Sequence, residues 1–167
     1  MRKIERPVWL LPIGLLCAVM IYPFLHELGH SLTAILLGAE ILQITWFPLP
    51  SVLCGMSSLN TLKYVLVGLN GVVFPGILCL VISSNRFWIW YSIFVMRLIV
   101  IWSLILAEIS LFLFHRGIAF PNDDITLILE KTPELDWLYG LLIVALLFAV
   151  CISVSKSRPI QRISEII

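Results

Sequence analysis

The chain has 167 residues, of which 60% are hydrophobic and 13% charged, with a formal net charge of +1 and a mean hydropathy of +1.05. Soluble domains are about 45–50% apolar and about 25% charged. One small core cannot bury this much apolar surface, so the composition predicts an integral membrane protein, and the near-zero net charge argues against a nucleic-acid partner.

Four apolar segments predict transmembrane helices, because each is close to or longer than the roughly 20 residues needed to cross a bilayer. They lie at about residues 8–37, 62–82, 87–114 and 135–154. The first has a basic start but no small-residue cleavage site, which indicates a retained span rather than a signal peptide. We therefore predict a single membrane-embedded domain, 1–167, that is all-α apart from short connecting elements.

The first span contains the sequence His26-Glu27-Leu28-Gly29-His30. Residues four apart lie on the same face of a helix, so the two histidines present their imidazoles to one point, as in H-E-x-x-H zinc hydrolases. An ionisable side chain at membrane depth costs about 2.5–3.5 kcal/mol, which favours a functional role over incidental packing. The motif predicts a zinc site with Glu27 as the general base.

Between the first two spans, residues 41–47 are rich in β-branched and aromatic side chains and end at Pro48, which predicts a short β-like segment. A protease must hold its target in an extended conformation, and strand addition along an exposed edge achieves this. We expect this segment either to pair with substrate or to lie at the bilayer surface.

The third span carries Arg97 and Glu108, which lie about three turns apart on one helix face. Charged groups buried in a membrane pair with a partner or line a wet cavity. Glu108 could accept a hydrogen bond from the free ring N–H of a metal-bound histidine, or serve only as a polar contact between helices.

A catalytic zinc site needs a third protein ligand, and the acidic loop between the third and fourth spans is the best source. This loop is predicted to lie on the same side of the membrane as the histidines, and it contains Asp123 and Asp124 at the start of a predicted short helix. One of the two is expected to cap this helix while the other binds the metal. Glu130 and Glu134 are poorer candidates, because they lie nearer to a proline stop and the next span.

Lysine and arginine predict how the chain crosses the membrane, because both are enriched in cytoplasmic flanks. The side that carries both termini and the loop after the second span holds most of them, namely Arg2, Lys3, Arg6, Arg86, Lys156, Arg158 and Arg162. The opposite side is flanked by Lys63, Arg116 and Lys131. Both termini are therefore predicted to be cytoplasmic, with 155–167 as a cytoplasmic tail, and the cell membrane is the expected location.

The H-E-L-G-H motif in a transmembrane helix, followed two spans later by a turn with asparagine and aspartate, resembles the site-2-protease family of intramembrane zinc metalloproteases. The resemblance covers about residues 23–137 and implies a PDZ-less, minimal member with a three-helix catalytic core. Such a protein holds Zn²⁺ through His26, His30 and an aspartate, and cleaves membrane-anchored protein substrates, as in regulated intramembrane proteolysis. The aspartate implied is Asp124, with Asp123 still open because the family's N-P-x-x-D-G turn is only partly present at 121–124.

Two functions of other classes are compatible with the same residues. A catalytically inactive zinc-binding membrane protein of this fold could act as a regulatory or assembly partner. A small transporter subunit could use polar residues to line a pathway, but it would need them at matching depth in several spans. In this sequence the polar residues concentrate at one level.

Overall fold

The computed structural model of the protein describes residues 10–121 and 123–164. This part of the chain forms six helices: α1 (Leu10–Leu37), α2 (Thr61–Val81), α3 (Phe87–Phe114), α4 (Asp124–Lys131), α5 (Asp136–Lys156) and α6 (Pro159–Ser164). A two-stranded antiparallel sheet lies between α1 and α2, and its strands are β1 (Glu40–Thr45) and β2 (Ser51–Gly55). Short 3₁₀ turns precede α2 at Met56–Ser58 and α5 at Pro133–Leu135.

The predicted fold class is confirmed, because α1, α2, α3 and α5 are each long and apolar enough to cross a membrane. Within the described chain their bounds agree with the predicted spans to within two residues. The short strand after α1 and the short helix before the last span are also present. The predicted tail begins inside α5 and continues as α6, whereas Arg2, Lys3 and Arg6 lie outside the described residues.

Apolar side chains occupy both the inside and the outside of the bundle. Val100 and Leu104 are buried at its centre, whereas Leu36, Trp102 and Phe148 are 82%, 62% and 68% exposed. Helices that are apolar all round and expose side chains of this size are matched to a hydrocarbon environment. The chain therefore has the architecture of a multi-pass membrane protein.

The course of α1 is set by one irregular turn and by its last residue. A π-helical turn, Cys17–Ile21, lies just before Pro23, whose ring nitrogen carries no hydrogen to donate. The helix closes at Gly38, which adopts a φ of +89°, a conformation that glycine tolerates without steric cost. The chain then turns directly into the hairpin, which packs against the C-terminal half of α1.

Helices α1 and α2 approach closely because the residues between them are small. A Cβ atom at Gly29 would overlap the backbone carbonyl of Asn70. The Asn70 side-chain amide donates to the carbonyl of Gly29 at 3.2 Å and to the hydroxyl of Thr33. Small residues and polar contacts between helices are typical of packing in lipid. The backbone of α2 is thereby brought up to the histidines of α1.

Helix α4 packs against α2 and α3 after α3 ends. Its buried face contains Ile125, Ile128 and Leu129. A Cβ atom at Gly68 of α2 would lie 2.6 Å from Ile128 Cδ1, so the glycine lets the Ile128 side chain pack directly against the backbone of α2. The first residue of α4 is thus directed toward the H-E-L-G-H motif.

Candidate metal centre

Three of the predicted site residues lie together at the hairpin end of the bundle. The Nε2 atoms of His26 and His30 are 3.1 Å apart, and Asp124 Oδ2 lies 3.0 Å from the first and 3.2 Å from the second. The histidines come from successive turns of α1, whereas Asp124 opens α4, 98 residues after His26. The three side chains form a group that could hold a metal ion.

The ring of His30 is oriented by the backbone of α2. Its Nδ1 atom lies 2.8 Å from the carbonyl oxygen of Val67. A carbonyl can only accept a hydrogen bond, so Nδ1 carries the hydrogen and the neutral ring has a lone pair on Nε2. This lone pair faces Asp124 Oδ2 at 3.2 Å and His26 Nε2 at 3.1 Å, so three atoms of metal-binding types converge on one point. Such a point is stabilised by a positive charge between them.

The two aspartates have separate roles. Asp123 caps α4, because its Oδ2 accepts hydrogen bonds from both the N–H and the hydroxyl of Thr126, each at 3.0 Å. Asp124 instead faces the histidines. Burial alone would raise the pKa of the Asp124 carboxyl, but protonated rings at His26 and His30, through their hydrogen bonds and their charge, lower the pKa well below its usual range, and a metal cation would take the place of these protons. Asp124 is therefore ionised at neutral pH, as a metal ligand must be.

Glu27 lies beside this group without belonging to it. It lines a cavity of about 420 Å³ together with His26, His30 and Asp124. Its Oε2 atom accepts a hydrogen bond of 2.9 Å from the backbone N–H of Val52 in β2. The hairpin thus holds the Glu27 carboxylate through Oε2, and the Val52 N–H does not contact the other oxygen, Oε1.

The positions of the two histidine rings depend on a glycine in α2. A Cβ atom at Gly71 would overlap Nε2 of His30 and lie 2.8 Å from Cε1 of His26. No larger residue fits unless one of the two rings moves. In the sequence, Gly68 and Gly71 lie three residues apart in an apolar helix, which predicts a close contact with another helix. The neighbouring residues do not indicate that this contact is with the histidines.

The strand that lines the cavity is β2 rather than β1. The two strands pair in antiparallel register, with Ile44 opposite Val52. Residues 51–54 of β2 line the cavity, and in the described chain no residue of β1 does. The segment 41–47, which the sequence suggested as a partner for substrate, therefore lies outside the cavity wall. The cavity-facing edge belongs to its neighbour.

The other acidic candidates lie apart from the metal-ligand group. Glu130 and Glu134 are exposed and outside it. Glu108 forms no hydrogen bond with either histidine among the described residues: His30 Nδ1 bonds to the Val67 carbonyl, and His26 Nδ1 is buried without a partner in this part of the chain. One oxygen of Glu108 is buried without a partner in this part of the chain, close to Gly140 of α5.

Cys54 of β2 also lines the cavity. Burial, and then the negative charge of Glu27, raise the pKa of its thiol. Zinc is bound by the thiolate form of cysteine. Cys54 is not among the three residues whose ligand atoms come together, and it borders the cavity as a small wall residue.

Comparison of the chain with protein-family models, with curated proteins and with solved structures finds no match. Chemically, the site offers two imidazole nitrogens, one carboxylate oxygen and a second carboxylate outside the ligand group, all in one cavity at the end of the membrane bundle.

Proposed function

We propose that the protein is an intramembrane zinc metalloprotease that hydrolyses peptide bonds of membrane-anchored protein substrates. The observation that carries the proposal is the meeting of His26, His30 and Asp124 within 3.2 Å, with Glu27 in the same cavity. The likeness of the H-E-L-G-H motif to site-2 proteases supports the same function.

Zinc fits the three ligand atoms in type and in spacing. Imidazole nitrogen and carboxylate oxygen bind catalytic zinc at about 2.0–2.2 Å, and a tetrahedron of that size keeps its ligands about 3.3–3.6 Å apart. The three atoms here are 3.0–3.2 Å apart, so a small outward movement suffices. A catalytic zinc has three protein ligands and one open position, which the cavity can supply.

The reaction assigns a separate task to each side chain. A zinc ion held there would lower the pKa of a water molecule to about 7 and polarise the carbonyl of the peptide bond. Glu27 accepts the proton of the attacking water on its second oxygen and later gives it to the leaving amine. The Val52 N–H keeps the Glu27 carboxylate oriented during both transfers, and the ionised Asp124 balances positive charge in the cavity.

An extended substrate segment is expected along the cavity-facing edge of β2. Residues 51–54 of this strand border the cavity that contains Glu27, and the Val52 N–H points into it. A strand added at such an edge keeps the scissile carbonyl accessible, which a helix would not. The cavity lies at the end of the membrane bundle, so a target anchored in the same bilayer would reach it.

The test separates metal binding from catalysis. Glu27→Gln has nearly the same shape as the wild type but cannot accept a proton. We expect about one zinc per chain to persist in this variant, measured by inductively coupled plasma mass spectrometry, while cleavage of co-expressed, tagged single-span proteins falls by about 10²–10⁴-fold. The matched control is Glu130→Gln, on the exposed side of α4, which should leave both unchanged.

Two results would contradict the proposal. Cleavage that persists in Glu27→Gln would remove this residue from the reaction. Wild-type protein that binds zinc yet cleaves none of the single-span proteins would favour the alternative function, a non-proteolytic regulatory or assembly partner of the same fold.

We also propose that the protein lies in the cell membrane with both termini on the cytoplasmic side. Support comes from the basic residues of the described chain, which favour the end of the bundle at which α1 begins and α5 ends. Reporter fusions after residue 167 and within the loop 115–121 test the orientation. We expect alkaline phosphatase to be active only in the loop fusion, and the reverse pattern would overturn the proposed orientation.

A further inference from the structure

A second cavity, of about 750 Å³, lies at the opposite end of the bundle from the metal-ligand group. The end of α2, the start of α3, the end of α5 and α6 surround it. Val67 borders the first cavity and Leu80 the second, and the rise between them along α2 is about 20 Å. The two sites are therefore separate.

The second cavity has a strongly basic lining. Its charged residues are Arg97, Lys156, Arg158 and Arg162, and its polar neutral residues are Ser83, Ser84, Asn85, Ser153, Ser157 and Gln161. No aspartate or glutamate is among the described residues that line it. Cations gathered around one space repel each other, and an anion in that space removes the repulsion.

Ion pairs within the described chain do not relieve this charge. They join histidines to aspartates only, at His26, His30 and His115, so that none involves a cation of the cavity. In the described part of the structure, the four cations are thus not neutralised by a carboxylate. The cavity lining therefore carries four positive charges and, among the described residues, no negative charge.

Arg97 shows that the basic lining is built into the fold. Its side chain lies within α3 and only 7% of the residue is exposed. Its guanidinium donates to the backbone carbonyls of Cys79 at 3.0 Å and Ile82 at 3.4 Å, at the C-terminal end of α2. These carbonyls orient the guanidinium but carry no full negative charge. A charged group buried in a membrane protein pairs with a counter-ion or lines a wet cavity.

One wall of the cavity is apolar and aromatic. Leu80, Trp90 and Ile93 form it, and the Arg162 guanidinium lies 5.3 Å from the centre of the Trp90 ring. The indole N–H of Trp90 is buried without an acceptor among the described residues. Tryptophan beside basic residues at the ends of spans is typical of the level of lipid headgroups.

We propose that this cavity binds the phosphate of an anionic phospholipid headgroup. Arginine guanidinium groups bind phosphate oxygens through paired hydrogen bonds, and serine hydroxyls add further donors. The cavity lies where three spans begin or end, which is headgroup depth, and basic pockets between transmembrane helices suit such headgroups. Val81 and Ile89, which are sequence neighbours of Leu80 and Trp90, are exposed apolar residues on which acyl chains would lie. A free phosphate ion would use the basic lining but not the apolar wall.

The test uses the full chain purified in detergent and three probes. These are phosphatidylglycerol, phosphatidylcholine with the same acyl chains, and inorganic phosphate. A ligand that binds only the folded state raises the unfolding temperature in a saturable manner, which gives an apparent affinity. We expect saturation with phosphatidylglycerol, and no comparable effect from the other two probes.

Variants then locate the binding. The double variant Lys156→Gln, Arg158→Gln should weaken the apparent affinity for phosphatidylglycerol by roughly tenfold or more. The control Arg86→Gln removes one charge from the same end of the bundle but outside the cavity, and should change the affinity by less than about twofold. Ser153→Phe fills part of the cavity without changing its charge, and should weaken binding even if the double variant does not fold.

Three outcomes would overturn the proposal. Equal stabilisation by phosphatidylcholine would show that headgroup charge is irrelevant. A loss in Arg86→Gln as large as in the double variant would show that only the net charge of this end matters. Saturation by inorganic phosphate without a response to phosphatidylglycerol would replace the lipid with a free anion.

Discussion

The two ends of the bundle handle polar groups in opposite ways. At the hairpin end, acceptor atoms of His26, His30 and Asp124 converge within 3.2 Å around one point. At the other end, four cations are spread around a cavity of about 750 Å³. The first arrangement suits a small cation, whereas the second suits an anionic group large enough to touch several side chains. The sign and the spacing of the charges distinguish the two sites.

The two ends also differ in how they are built. The hairpin end depends on glycines, because a Cβ atom would meet the Asn70 backbone at Gly29 and the rings of the two histidines at Gly71. Apart from the buried Arg97, the basic end depends on long side chains, and those of Lys156 and Arg158 are exposed and free to change rotamer. We therefore expect single substitutions to abolish function at the first end and only to weaken binding at the second.

The largest effect is expected from Gly71→Ala. The new methyl group must displace the ring of His30 or His26, so zinc occupancy should fall close to zero and stability by about 1–3 kcal/mol. Metal analysis and thermal unfolding of the purified protein measure the two effects. Gly14→Ala is the control, because its Cβ would lie 3.8 Å from the Tyr91 hydroxyl and meets no obstacle. Full zinc occupancy in Gly71→Ala would refute the close-approach explanation.

Asp124→Ala and Asp123→Ala should separate metal binding from helix capping. Loss of the Asp124 carboxylate should weaken zinc binding by more than about 100-fold. This exceeds the effect of losing a residue that only hydrogen-bonds to a metal ligand. Loss of the Asp123 cap should cost about 0.5–2 kcal/mol of stability while zinc is retained. Competition with a chelator gives the zinc affinity. The reverse pattern would make Asp123 the ligand.

Val52→Pro tests the role of the hairpin in orienting Glu27. Proline removes the N–H that donates to Glu27, and a hydrogen bond to a charged group is worth about 1.5–3 kcal/mol, so cleavage should fall about 10–100-fold with zinc retained. Val52→Ala keeps this N–H and should keep most of the activity. Equal activity of the two variants would show that the hydrogen bond does not matter for the reaction.

The smallest effect is expected from Arg162→Gln at the basic end. Its guanidinium and that of Arg116 lie at the same distance, 5.3 Å, from the rings of Trp90 and Phe112. Each cation–π contact is worth about 0.5–1 kcal/mol, so Arg162→Gln and Arg116→Gln should lose similar stability. Only Arg162→Gln should also weaken the binding of phosphatidylglycerol, with zinc occupancy unchanged in both. Equal lipid affinity in the two variants would exclude Arg162 from the site.

Much of the fold was predictable from the sequence because a membrane imposes a simple rule. A span must satisfy its own backbone hydrogen bonds, so length and apolar composition suffice to identify a helix. The facing of His26 and His30 was also predictable, because it depends only on the pitch of one helix. The choice between Asp123 and Asp124 was not, since both suit the start of α4 and the packing of Ile128 on Gly68 sets its direction.

The sequence by itself determined the four apolar helices, the paired histidines and the short list of acidic partners, because each follows from local composition or spacing. The tertiary structure alone decided that the Val67 carbonyl orients His30, that the Val52 N–H holds Glu27, and that β2 rather than β1 lines the cavity. Every residue except proline has the same backbone donor and acceptor, so only the path of the folded chain selects which ones reach the site. The basic cavity has partly the same origin, because Lys156, Arg158 and Arg162 are close in the sequence but Arg97 joins them only when the first part of α3 packs near the end of α5.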